Sequence, residues 1–209
     1  MPSRSSYYDT EARRYDETRG GVPRAEDAAS AVCRLVGSRG RLLDVAGGTG
    51  IVSAALAGRG FDVMVCDLSV GMLALAQERL PGRAFASAAD ALAVCDGSVD
   101  AVTTIWLLHL LAPTTADLVI AEAARVLRPG GHLVTTVDKS QAHGHAGAPA
   151  DDRARVTAVA ARHGLLPTGS TTFTGRSAWG SATEADPVFP LAAFRRTTDV
   201  GADAGGARH

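Results

Sequence analysis

Apolar residues along this chain fall into short runs separated by helical-period stretches, and the two patterns alternate. Runs at 41–46, 61–67, 83–87, 99–106 and 131–138 read as strands, the first, second and fourth of them near-continuously apolar, as expected for a parallel sheet. Between and around them the 3.6-residue period predicts helices at 50–58, 70–79, 114–127 and 152–163, with an earlier one from about Pro23 to Val36 that opens on a first-turn proline. The first, second and fourth runs read as strands covered on both faces. Two further extended pieces, 165–174 and 188–197, close the pattern. Strand followed by helix, repeated, means an α/β fold with helices on both faces of the sheet.

The edges carry different signals. Residues 7–19 form a polar, Tyr-bearing helix or loop. Pro113 and Thr114 open the fifth helix, and Arg125, Arg128, Pro129, Gly130 and Gly131 are read as its end, a turn before the next strand. The small polar stretch 139–151 is a connection with the composition of an active-site lid. Residues 198–209 are expected to be a disordered tail. The length suits a single domain over 1–197, with 1–37 as a helical cap.

Charge narrows the function classes. Lys plus Arg number 21 and Asp plus Glu 22, for a net charge of −1, without a basic cluster, so a nucleic-acid partner is not expected. Cys33, Cys66 and Cys95 are odd in number and scattered, which points to reduced, buried thiols rather than a disulfide framework. The first residues lack a secretory apolar core, and no run is long enough to span a bilayer, so a cytoplasmic location without a membrane partner is expected.

Chemistry enters at Leu43-Asp44-Val45-Ala46-Gly47-Gly48-Thr49-Gly50, a buried strand that runs into a loop without bulky side chains. Glycines allow a ligand close to the backbone, and the free N–H groups of the helix that follows face the same spot. Asp67 ends the next strand, 23 residues after Asp44. An acid at about this distance accepts hydrogen bonds from ribose hydroxyls, although capping the helix that starts at Leu68 is an alternative role. The dinucleotide fingerprint would need a small residue at 53, where Ser53 stands, so that match is imperfect and an NAD-type oxidoreductase is kept as an alternative.

With the Gly-rich loop, the acid-ended second strand and the Leu127-Arg128-Pro129-Gly130-Gly131 turn together, the chain resembles the class I S-adenosylmethionine-dependent methyltransferases, in particular the ubiquinone and menaquinone methyltransferase branch. The family's acid-x-Gly-x-Gly-x-Gly falls on Asp44, Ala46, Gly48 and Gly50, with Ala in place of the first Gly. The resemblance implies a Rossmann-like seven-stranded, mostly parallel sheet in the order 3-2-1-4-5-7-6. It implies S-adenosylmethionine as cofactor, with S-adenosylhomocysteine as product. By position, Ala46, Gly47 and Gly48 would lie along the methionine part and Asp67 would hold the ribose. Leu68 and Met72 would flank ribose and adenine, and Asp90, between Ala89 and Ala91, would meet the adenine amino group. Tyr15 and Arg19 match an N-terminal segment that folds over the cofactor, and Trp106 matches a position beside the methionine carboxylate and the transferable methyl.

A base is needed only for an acceptor that is protonated at working pH. His109, just after the fourth strand, is the first candidate and His143 the second. His143 and His145 lack further ligands for a metal, and none is expected. The resemblance implies a small-molecule acceptor, with O- or N-methylation in bacterial specialised metabolism such as antibiotic biosynthesis as the expected setting. A cofactor-binding protein without turnover is the remaining alternative. The sequence leaves the oligomeric state open, a homodimer included.

Overall fold

The computed structural model describes residues 4–139, 149–175 and 186–198. His143, His145, most of the 139–151 connection and the 198–209 tail apart from Thr198 lie outside these residues. The order is α1 (Arg4–Thr18), α2 (Gly21–Val36), β1 (Gly40–Val45), α3 (Ile51–Ala57), β2 (Phe61–Asp67), α4 (Val70–Arg79), β3 (Ala84–Ala86), β4 (Val99–Thr104), a 3-10 turn (Leu108–Leu110), α5 (Pro113–Val126), β5 (Leu127–Thr136), α6 (Arg153–Arg162), β6 (Leu165–Thr174) and β7 (Val188–Arg196).

The strands form one seven-stranded sheet in the expected order, β3-β2-β1-β4-β5-β7-β6. Pairing is parallel from β3 to β5, and β7 is antiparallel to both β5 and β6. Strand alternation divides the core into two layers. Leu43, Val102 and Leu133 point to the side covered by α5 and α6, whereas Leu42, Ala101 and Val134 point to the side covered by α2 and α3. β1 is central and its last four residues are all buried. β2 departs from the expected full burial: Phe61, Val63 and Val65 pack inward, but Asp62 and Met64, on the opposite face of the strand, reach solvent.

Two boundaries move. The Leu-Arg-Pro-Gly-Gly segment is not a turn before β5 but its beginning. Gly130 takes a left-handed φ of 80°, and the β4–β5 register shifts between Val99 and Ala101, so a strand absorbs the irregularity that the breakers announce. β4 stops at Thr104 rather than 106, because Trp106 has a φ of 59° and cannot continue a strand. Ala46, Trp106 and Asp138 are the non-glycine residues with positive φ among those described, and they follow β1, β4 and β5. The unusual backbone is thus gathered at the carboxyl ends of three adjacent strands. Of the cysteines, Cys66 is buried as expected, Cys33 is half-buried and Cys95 is exposed, and all three are free thiols.

Candidate active site

The carboxyl ends of β1, β2 and β4 open into a cavity of about 360 Å³. Tyr15, Asp44, Ala46, Gly47, Gly48, Asp67, Leu68, Met72, Ala89, Asp90 and Trp106 all line it, so most of the positions singled out in the sequence converge. Ala91 does not line it. It pairs instead with Ala88 in an isolated bridge. Arg19 lines a small adjoining notch rather than the cavity, and His109 lines neither.

The loop after β1 is glycine-rich for a specific steric reason. A Cβ on Gly47 would sit 2.8 Å from both Asp44 Oδ2 and Val65 Cγ1, closer than real contacts allow. That carboxylate is the least exposed acid of the cavity. Asp44 is 2% exposed, and it accepts hydrogen bonds from the Ser53 hydroxyl and, at 2.7 Å, from Thr103 Oγ1. Burial pushes its carboxyl up to about 6, against those two bonds. Ser53, the residue that spoils the dinucleotide fingerprint, is therefore a buried donor to Asp44, a role that neither Gly nor Ala could fill.

Asp67 braces the same loop. Its Oδ2 accepts from Gly48 N and its Oδ1 from Ser69 N, both at 2.9 Å. It does not cap the following helix: Ser69 does, accepting from Met72 N at 3.2 Å. Burial raises the Asp67 carboxyl despite its backbone donors. Leu68 is exposed beside it, whereas Met72 is buried, so the two form an outer and an inner apolar wall.

α1 roofs the cavity with Tyr8 and Tyr15. Its attachment is polar. Asp9 Oδ1 accepts from Ser69 Oγ at 2.6 Å and from Gly71 N at 2.9 Å. One turn pair later, Asp16 accepts from Thr49 Oγ1 at 2.7 Å and is salt-bridged to Arg79 at 2.6 Å, while Arg79 also donates to Thr49 O at 2.6 Å. Among its side chains of stated burial, Ala12 is the buried one. These contacts were missed in the sequence. A signal was present: Tyr8/Tyr15 and Asp9/Asp16 each repeat after seven residues, two turns along one face of a helix.

Beyond Trp106 lies a second group of residues. The Arg24 guanidinium stacks 3.7 Å over the Trp106 ring, and Trp106 packs edge-on against Phe173 and Phe189. Lys139 Nζ donates to His109 Nε2 at 2.9 Å, and its burial, with Arg24 and Arg19 nearby, pulls the ammonium down to about 8. Lys139, the one lysine of the sequence, is a functional-site candidate that sequence reasoning missed.

Among the described residues, no three His, Cys, Asp or Glu side chains come together as a metal site, and no helix is long and apolar enough to cross a membrane. The family model for a methyltransferase domain matches residues 43–135. A demethylmenaquinone methyltransferase of Beutenbergia cavernae is 44% identical over 132 residues, which cover 61% of this chain and 54% of that protein. A ubiquinone/menaquinone biosynthesis C-methyltransferase of Bradyrhizobium diazoefficiens is 42% identical over 103 residues, covering 44% of this chain and 40% of its own. The chain thus spans about half the length of the curated relatives it matches. Among solved structures, one described by the conversion of a disulfide bond into a thioacetal group during echinomycin biosynthesis shares the fold, with a TM-score of 0.74, 19% identity, and coverage of 93% of this chain and 94% of that one.

Proposed function

We propose that this chain is a class I S-adenosylmethionine-dependent methyltransferase, of the ubiquinone and menaquinone branch, and that it moves a methyl group from S-adenosylmethionine to a small-molecule acceptor bound at the Trp106 end of the cavity. The observation that carries the reading is the meeting of the Gly47 cradle, Asp67 and Asp90 in one cavity at the ends of β1, β2 and the segment after β3.

The residues present fit the cofactor. The loop holds no side chain at Gly47 that would fill the cradle, and Asp67 offers a carboxylate whose charge is only partly satisfied by backbone donors. Asp67 would accept from the ribose hydroxyls and Asp90 from the adenine amino group, with Leu68 and Met72 as the apolar walls. Ala46, Gly47 and Gly48 would line the methionine part, where the Asp44 charge favours a cationic donor. When bound, the cofactor supplies an activated methyl on a sulfonium, which loses its charge in the transfer. The protein's task is then to align acceptor and methyl and to exclude water. The roof of Tyr8 and Tyr15 performs the second part.

His109 stands on the acceptor side, but its Nε2 accepts from Lys139. While that bond stands, this nitrogen takes no proton from an acceptor, and His109 acts by positioning Lys139. The expectation of O- or N-methylation in specialised metabolism gains no support from the relatives, which are named for demethylmenaquinone methylation and for C-methylation in quinone biosynthesis. Those names favour a ring-bearing acceptor for this chain.

Calorimetric titration with S-adenosylhomocysteine and with NAD tests the cofactor assignment, followed by transfer of labelled methyl to a panel of hydroxylated aromatic acceptors. Tighter binding of NAD than of S-adenosylhomocysteine sinks the reading. Binding without transfer to any acceptor favours a non-catalytic cofactor-binding protein.

A further inference from the structure

Arg24 over Trp106 and Phe189, Lys139 over Phe189 and Arg19 close by bring three cations together, and none of them is in an ion pair among the described residues. Arg24 Cζ and Lys139 Nζ lie 5.3 and 5.6 Å from the centre of the same Phe189 ring, so the two groups flank one aromatic surface. Arg24 spends one donor on the Arg19 carbonyl at 2.7 Å, yet its Nε is buried without a hydrogen-bond partner. Such a group costs stability unless something completes it. Lys139 directs one of the three donors of its ammonium to His109 Nε2.

Position gives the cluster its meaning. The notch that Arg19 and Arg24 line shares Tyr15, Ile51, Val52 and Trp106 with the main cavity, so it opens beside the place where the transferable methyl would lie. Tyr15 and Trp106 supply its aromatic walls, and the buried Phe173 and Phe189 pack edge-on against Trp106 at 5.5 and 5.8 Å between centres. Aromatic walls suit a ring, and a negative charge suits those cations.

We propose that Arg24 and Lys139, with Arg19 behind them, form an anion-holding subsite for the acceptor, and that the acceptor is an aromatic molecule bearing an acidic oxygen, of the carboxylate class. This rests on the methyltransferase reading and names the substrate class of that same site. Anchoring the acid on the far side of Trp106 fixes the ring in the cavity and leaves another ring position to face the methyl donor. His109 Nε2 orients the Lys139 ammonium, and the nearby Asp151 carboxylate acts on its charge without an ion pair between them.

The test uses the full chain saturated with S-adenosylhomocysteine and titrated by calorimetry with 1-hydroxy-2-naphthoate or with the corresponding carboxamide. The wild type is expected to bind the acid about tenfold or more tightly than the amide, as loss of a charged hydrogen-bonded pair dictates. In Arg24→Met and Lys139→Met the preference should fall to about twofold or less, and Arg24→Lys should keep part of it. Equal affinity for acid and amide in the wild type overturns the proposal, as does binding of neither probe, or a preference that both Met variants retain. S-adenosylhomocysteine affinity separates the two levels. If that ligand itself fails to bind the wild type, the methyltransferase reading falls; if it binds and the acid shows no advantage, only the subsite does. A variant that keeps its S-adenosylhomocysteine affinity has kept its fold.

Discussion

Asp44→Asn removes the charge at the centre of the cavity without removing its hydrogen bonds. The Asn carbonyl can accept from Thr103 Oγ1, and its amide can donate to the Ser53 hydroxyl, which turns to receive it. What changes is the cost of ionising a fully buried acid. The Asp44 carboxyl titrates at about 6 in the folded protein against 3.8 unfolded, roughly two pH units, which at about 1.4 kcal/mol each amounts to about 3 kcal/mol. Between pH 3.8 and about 6 the folded state holds the proton and the unfolded state does not. Stability from this group is therefore greatest below that window and is lost as pH rises through it. Urea unfolding followed by tryptophan fluorescence from pH 4 to 7.5, for wild type and variant side by side, isolates the effect, because the other carboxylates cancel in the difference. The variant should gain on the wild type by about 3 kcal/mol across the window and hold that lead above it. A constant difference from pH 4 to 7.5 would refute the reasoning. The same variant should bind S-adenosylmethionine more weakly than the wild type does, because the charge that costs stability faces the cationic donor.

Asp67→Ala should weaken S-adenosylhomocysteine binding about tenfold or more by calorimetry, since the ribose loses a charged acceptor and Gly48 loses its brace; an unchanged affinity means that the ribose lies elsewhere. Gly47→Ala should lose most cofactor binding, because the new methyl meets Asp44 and Val65 at 2.8 Å, and a variant that binds like the wild type would show that the loop yields easily. Gly71→Ala places a Cβ 2.8 Å from the Asp9 carbonyl oxygen in α1, a backbone atom that cannot swing aside. It should lift α1 and weaken S-adenosylhomocysteine binding while leaving the urea midpoint nearly unchanged, and equal losses in both would mean that α1 belongs to the core.

Most of the fold could be read in the chain because its strands carry their own punctuation. Leu43 to Val45, the acid at 67 and the breakers at 128–131 announce a parallel sheet without reference to distant residues. The misreadings share a cause: backbone that departs from the common wells. Trp106 looks like the eighth residue of an apolar strand, and only its φ of 59° shows that the chain has already turned. The Gly47, Asp67 and Asp90 side of the cavity was legible because glycines and acids at fixed spacing are local signals. The Arg24 and Lys139 side was not. Arg24, Lys139 and Phe189 meet through the packing of α2 against the far strands, and 165 positions separate Arg24 from Phe189 in sequence. Nothing in the local pattern around any of them marks the meeting.

The way α1 is attached sets a rate. The helix covers the cavity with two tyrosines, yet it is fastened by Asp9 and Asp16 through hydrogen bonds and an ion pair. Fastenings of that kind open at little cost compared with unfolding of the sheet. Under the proposed function, cofactor entry should wait on the fraction of time that α1 is detached, and association should run well below the diffusional limit. Added salt weakens the Asp16–Arg79 pair and so should speed both entry and exit while altering the equilibrium less, so that the helix works as a timer on exchange of the spent cofactor.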